Sequence, residues 1–306
     1  MTAYIVRRLF WLLVTLIAVS IFTFIIIFAG PVDPVKALVG PRAQGASLTA
    51  LRHELGLDRP LYVQYLDYMG DLARGDLGDS FFFKRPVREA LFSRLPATAQ
   101  LAACIMALSL VFGLPMGVVA ALKRGSVLDS GMTVTGLLLI SMPTFFFGLL
   151  LIYFLAFRLR LFPVGGYGSF RHLILPGLSV ALPWAVWYGV ILRTSMLDVL
   201  STDYVRTAYA KGLRQRLVVW RHMLKNAMLP LVTMLGMDFA SLLTGMAFVE
   251  YVFNWPGIGW QALTAAQHFD VPMIMGSVLF GAALIGFANL TVDVLYTFLD
   301  PRVRLT

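Results

Sequence analysis

The chain has 306 residues and a net charge of +9, with 59% hydrophobic and only 13% charged residues. Soluble domains carry about a quarter charged residues, and no soluble fold of this size hides so much apolar surface from water. A soluble class is excluded, and a polytopic membrane protein remains.

Residues 1–29 hold the first uncharged apolar run, Leu9 to Ala29. About 20 residues suffice for a helix to cross a hydrocarbon core of about 30 Å. The run is longer than a signal h-region and no small-x-small site follows it, so it reads as a retained span. Arg7 and Arg8 would hold its N-terminus inside.

Residues 30–94 form a long loop that is too patterned to be a linker. "SLTALRHELG" can be capped by Ser47 and stopped by Gly56. "RPLYVQYLDYMGDLARG" starts on Pro60 and puts Leu61, Tyr65, Tyr68, Met69 and Leu72 on one face. "RPVREALFSRL" repeats the device with Pro86. Short amphipathic helices are expected, either as a structural cap or in contact with substrate.

Residues 95–297 carry five more apolar runs: Leu95 to Leu122, Ser130 to Phe157, Leu173 to Leu192, Asn226 to Val249 and Val271 to Val292. Pro115, Pro143 and Pro183 fall inside three of them, where each helix can bend. Gly113, Gly117, Gly148, Gly236 and Gly245 permit close helix approach. Cys104, the single cysteine, reads as a small buried hydrophobe. Before the last run, "EYVFNWPGIGWQALTAAQHFD" is aromatic like a membrane interface, with a short helix from near Trp260. Asp270 and Pro272 look like the cap and first turn of the last span.

Orientation follows from Lys and Arg in the short loops. With the N-terminus inside, the inner segments hold 13 basic residues and the short outer loops three. The long first loop has nine, balanced by eight acids, and long loops translocate largely regardless of charge. Both termini, including the tail 298–306, are therefore expected inside. Basic residues facing the cytoplasm explain the positive charge without nucleic acid.

The inner segment 193–228 departs from its greasy neighbours. Asp203 to Pro230 carries six basic residues and one acid. Ser201, Thr202 or Asp203 can cap a helix whose apolar-aromatic face is Tyr204, Val205, Ala208 and Tyr209, ending near Gly212. A second helical stretch, Leu213 to Met228, leads to the fifth span, which Pro230 begins or kinks. Such a glycine-hinged helix suits a groove in another protein or a surface of anionic lipid.

Enzyme chemistry finds no foothold. No lysine follows a glycine, so a phosphate-cradling Gly-Lys-Ser/Thr loop is missing from the sequence. His53, His172, His222 and His268 all lie in loops or at helix ends, and no pair has metal-ligand spacing on one helix. An ion-coupled secondary transporter is the rival, with Asp238 the only acid at depth; Glu250 and Asp293 sit near span ends.

The inner segment resembles the cytoplasmic loop of ABC importer permeases, Glu-Ala-Ala, three residues, Gly, then Leu-Pro. Here it reads Arg206-Thr207-Ala208, Gly212 and Leu229-Pro230. Arg206 in place of the acid and the long Gly-to-Pro separation are usual in the oligopeptide/dipeptide/nickel-type subgroup. "YIVRRL", "GPVDP", "LGLDRPLYVQYLDYMGDLARGDLGDSF", "RLPATAQLA", "KRGSVLD", "SMPTFFFGLLLI", "VEYVFNWPGIG" and "DPRVR" extend the likeness over nearly the whole chain.

The resemblance implies an all-α polytopic membrane protein with six transmembrane helices, the type I ABC importer permease fold, and a helical extracytoplasmic loop. It implies a subunit of a bacterial cytoplasmic-membrane importer, without an ATPase site or cofactor of its own. Its partners would be a homologous second permease, two cytoplasmic ABC ATPase subunits holding ATP and Mg, and an extracytoplasmic substrate-binding protein. Asp203, Tyr204, Arg206, Thr207, Ala208, Tyr209, Lys211 and Gly212 would couple to an ATPase. Met142, Trp184, Trp187, Met234 and Asp238 are the candidate pathway lining. Di- or oligopeptides are the implied cargo, with glutathione and nickel complexes as the family's alternatives.

Overall fold

A computed structural model describes residues 2–28, 52–53 and 58–299. The described residues are mostly helical and hold no strand beyond a single bridge between Asp79 and Pro86. Four helices are long and apolar enough to cross a membrane: Tyr4–Phe28, Val87–Leu122, Phe170–Leu200 and Val271–Thr291. Two bent pairs, Asp129–Ser141 with Thr144–Arg158 and Gln215–Ala227 with Leu229–Leu243, raise the number to as many as six. The chain is a multi-pass membrane protein. Ser47, Gly56, "GPVDP" and "DPRVR" lie outside the described residues.

The chain divides into two compact units. The first comprises Met1–Thr98, Leu243–Tyr251 and Pro256–Thr306. In it, α1 (Thr2–Phe28) packs along α12 (Val271–Leu299). Arg8 and Asp293 join them in an ion pair of 2.9 Å. The short helix α2 (Leu61–Ala73), entered from Pro60, leans on α1. Tyr65 shares a 2.8 Å hydrogen bond with Ser20 and meets the Phe24 ring edge-on. Tyr65, Tyr68, Met69 and Leu72 are half-buried, whereas Leu61 is exposed, so the α2 face is one residue narrower than its pattern. Where a separate short helix was expected after Pro86, one continuous helix, α3 (Val87–Leu122), runs through Pro96 into the second span. Its first turns are held by burial: Val87, Ala90 and Leu91 form a core with Ile258, Ala265 and Met273.

Asp270 precedes α12 as its cap and also clips the incoming loop. Its carboxylate accepts the Ser80 hydroxyl and the backbone N–H groups of Phe81, Phe82 and Met273. The Trp-Pro-Gly hairpin contributes α10 (Ala247–Val252) and α11 (Ile258–Gln267). The helix expected as the fifth span therefore stops at Leu243, short of Val249; α10 is a separate turn of helix.

The second unit is Ala99–Leu242 with Val252–Trp255. There α3 meets α6 (Phe170–Leu200) through glycines four residues apart. A Cβ at Gly113 would stand 2.6 Å from the Ala185 carbonyl oxygen, and one at Gly117 2.6 Å from that of Gly189. Neither space admits a side chain, which is the small-residue contact that lets membrane helices touch by backbone. Pro176 and Pro183 sit inside α6 without breaking it.

The expected span Ser130 to Phe157 is two helices, α4 (Val127–Ser141) and α5 (Thr144–Leu151), bent by 103°. The break follows from chemistry. Met142 precedes Pro143 and is pushed out of helical space to ψ 132°. A wide π-helical turn, Ile152–Arg158, extends α5.

Candidate functional site

The basic amphipathic segment after α6 is built as α7 (Asp203–Ala210) followed by the helical stretch α8 (Gln215–Ala227). Thr202 occupies the cap position, but its hydroxyl bonds back to the Val199 carbonyl rather than to α7. Val205 and Ala208 are buried in a cluster with Tyr188, Leu192 and Met196 of α6 and Val218, Val219 and Met223 of α8. That placement corrects the single apolar-aromatic face expected from the pattern. Tyr204 and Tyr209 are exposed, and Ala208 anchors the helix instead of presenting itself to a partner. Asp203, Tyr204, Arg206, Thr207, Tyr209, Lys211 and Gly212 form the free face. Asn226 donates to the Tyr204 hydroxyl at 2.8 Å, tying α7 to α8 a second time.

Gly212 ends α7 with φ +74°. Its N–H donates to the Tyr209 carbonyl and that of Leu213 to the Ala208 carbonyl, at 2.9 and 3.3 Å. These are the two bonds of a Schellman stop, which needs a left-handed residue between them and is favoured by glycine. Leu213 completes it by packing on the cluster that holds Ala208.

Two groupings escape inspection of the sequence. Asp129 of α4 receives the Arg193 guanidinium of α6 in a two-pronged ion pair, with the Nη2–Oδ2 distance 2.7 Å. Asp129 also accepts the Gly125 N–H at 2.9 Å, while Ser126 caps α4 by accepting the Asp129 N–H. The spacing Ser126-x-x-Asp129 is a capping signal that was legible; Arg193, 64 residues on, was counted only as a cytoplasmic charge.

The other grouping surrounds Glu250, which is fully buried. One carboxylate oxygen accepts the Thr98 hydroxyl at 3.0 Å and the other the Trp260 N–H at 2.8 Å. Thr98 in turn accepts the Ile258 N–H at 2.9 Å. A carboxylate thus closes the N-terminus of α11, where orphan N–H groups and the helix dipole favour an anion. Burial pushes this carboxyl above its ordinary range, against the Trp260 N–H and the Thr98 hydroxyl, which pull it down.

In α9 (Leu229–Leu243), Asp238 accepts the Tyr188 hydroxyl at 2.7 Å. Trp184 stands edge-on to Tyr188 with ring centroids 6.2 Å apart, and Met234 lies one turn before Asp238. Trp187 and Met142 are exposed, and no hydrogen bond or ring contact joins them to this group among the described residues.

Residues 113–305 match the family model described as binding-protein-dependent transport system inner membrane component, and residues 1–102 match its N-terminal companion. The chain belongs to this family. It is 39% identical to a di/tripeptide transport system permease protein of Pseudomonas aeruginosa over 99% of both chains. An oligopeptide transport system permease protein of Bacillus subtilis is 37% identical over 99% of this chain and 100% of its own. A glutathione transport system permease protein of Escherichia coli is 38% identical over 99% of each. The helix α7, the Asp129–Arg193 pair and the Glu250 grouping are thus features of an importer's membrane component.

Proposed function

We propose that the chain is the membrane-spanning permease of an ATP-driven peptide importer, sharing the translocation pathway with a homologous second permease. End-to-end similarity to relatives named for di/tripeptide, oligopeptide and glutathione transport carries this reading. All three cargoes are peptides, and they favour peptides over nickel complexes. Two cytoplasmic ATPases holding ATP and Mg, and a binding protein outside, complete the assembly. The free face of α7 seats in a groove of one ATPase, and its buried face transmits ATPase closure to α6 and α8. Each bent pair counts as one span, giving six, with 30–94 outside and both termini inside. Alternating access then follows as a two-state rocking of helices biased by nucleotide.

The purified chain is expected to hydrolyse no ATP, and vesicles are expected to import peptide only with all partners and ATP. Uptake by this chain alone, driven by a proton gradient and abolished by Asp238→Asn, would overturn the proposal. Orientation has its own test. Single cysteines at 53 and 211, in a Cys104→Ala background, should react with an impermeant thiol reagent differently. Position 53 labels in intact cells and position 211 only after lysis; the reverse result would remove α7 from the ATPases.

A further inference from the structure

An ionised carboxylate accepts hydrogen bonds on both oxygens, and stranded in an apolar setting it is costly. Asp238 sits half-exposed in a span, and Tyr188 occupies only Oδ2. Oδ1 has no hydrogen-bond partner among the described residues. Among the described residues no ion pair reaches it either. Leu229–Leu243 contains neither lysine nor arginine, and on the packed helix α6 Arg193 is committed to Asp129. The other arginine of α6, Arg171, and His172 lie in its first turn, where Arg171 donates to the Leu161 carbonyl and His172 meets the Ser169 hydroxyl. Met106, whose sulfur meets the Tyr188 hydroxyl at 3.8 Å, belongs to a helix whose basic residues, Arg88 and Arg94, are three or more turns away. Among the described residues, then, no cation answers Asp238.

We infer that Asp238, oriented by Tyr188, is a subsite that receives the α-ammonium group of the peptide in transit. This deepens the peptide-importer reading and rests on it. Every peptide with a free N-terminus carries that cation whatever its side chains, so one carboxylate serves a tolerant pathway. The surroundings suit a small cation that must leave again. Tyr188 holds Oδ2 and fixes the carboxylate plane, leaving Oδ1 to accept. The Trp184 ring, half-buried beside Tyr188, offers a polarisable surface next to this pair, and aromatic faces attract ammonium groups. Met106 and Met234 are adaptable apolar contacts that select no particular side chain.

The test uses the reconstituted full complex with saturating loaded binding protein, so that affinity for cargo is set elsewhere. The probes are trialanine with a free amino terminus and its des-amino analogue. Asp238→Asn is expected to lower trialanine uptake at least tenfold while leaving uptake of the des-amino analogue within twofold of wild type. Asp238→Glu should restore a large part of the loss, and Tyr188→Phe should cost several-fold on trialanine alone. Equal losses on both probes, or trialanine uptake within twofold of wild type, would overturn the subsite. Loss of the second permease from the purified Asp238→Asn complex would overturn it too, because the counter-charge would then belong to that subunit. A wild-type complex that imports neither probe would overturn the peptide reading, and the subsite with it.

Discussion

Gly212→Trp is expected to abolish substrate-stimulated ATP hydrolysis in the reconstituted complex while the chain still inserts and pairs with the second permease. The backbone at 212 is left-handed, φ +74°, where a residue with a Cβ costs about 1–2 kcal/mol. A Cβ there would meet nothing within 4 Å, so within this chain the cost is conformational rather than steric. A strain of that size leaves a large membrane protein folded. It is enough, however, to reopen the Schellman stop and swing the free face of α7 away from its seat. The indole adds bulk on that same exposed face, where an ATPase groove would close. Three substitutions separate the two effects. Gly212→Asn tolerates the left-handed region and should stay within about threefold of wild type. Gly212→Ala carries strain without bulk and should fall between. Gly212→Trp should lose at least tenfold in stimulated hydrolysis, with the ATPases released in pull-downs. Normal stimulated hydrolysis and normal uptake in the tryptophan variant would remove this glycine from coupling, leaving α7 as a lipid-surface helix.

What could be read in advance follows the range of the forces involved. The long apolar runs at α1, α3, α6 and α12 were legible because burial in hydrocarbon is written in composition over about 20 residues. The start of α2 after Pro60 and the stop of α7 at Gly212 were legible because proline and glycine act on their own backbone. Pro143 marked a bend, but a bend of 103° in place of a kink depends on what both halves pack against. Likewise Pro96 broke nothing, since the turns before it are held by the core around Val87 and Leu91. The face of α7 was misjudged for a related reason: Tyr204 and Val205 look equally apolar, and only the α6–α8 cluster decides which turns inward. Asp129 with Arg193, and Glu250 with Thr98, join residues 64 and 152 positions apart. No periodicity encodes such pairs. Asp238 is intermediate: an acid isolated in an apolar run was legible, while Tyr188 as its partner was not.

Glu250→Ala is expected to be among the most damaging single changes outside α7. The side chain has no solvent exposure, and its loss strands the Trp260 N–H and the Thr98 hydroxyl in a buried site. Each unsatisfied buried group costs about 1–3 kcal/mol, before any cavity left by the missing carboxylate is counted. The glycines of "WPGIG" show how closely the hairpin wraps this acid. A Cβ at Gly257 would collide with the Glu250 carboxylate, and one at Gly259 would lie 2.6 Å from the Ala247 nitrogen. The backbone has thus come within contact of the carboxylate. Local unfolding of α11 should follow, since its first-turn N–H groups lose their acceptor. The measurement is hydrogen exchange of the 258–267 amides in detergent, beside a thermal melt. Glu250→Ala should accelerate exchange there by at least tenfold and destabilise the chain by about 2–5 kcal/mol. Glu250→Gln keeps one acceptor oxygen but turns an N–H₂ toward a donor, so its effect should be smaller yet still measurable. Thr98→Val removes the link to Ile258 and should reproduce part of the effect at 258 while sparing the Trp260 amide. If exchange over 258–267 in Glu250→Ala matches wild type, the acid does not hold the hairpin, and the close glycines need another cause.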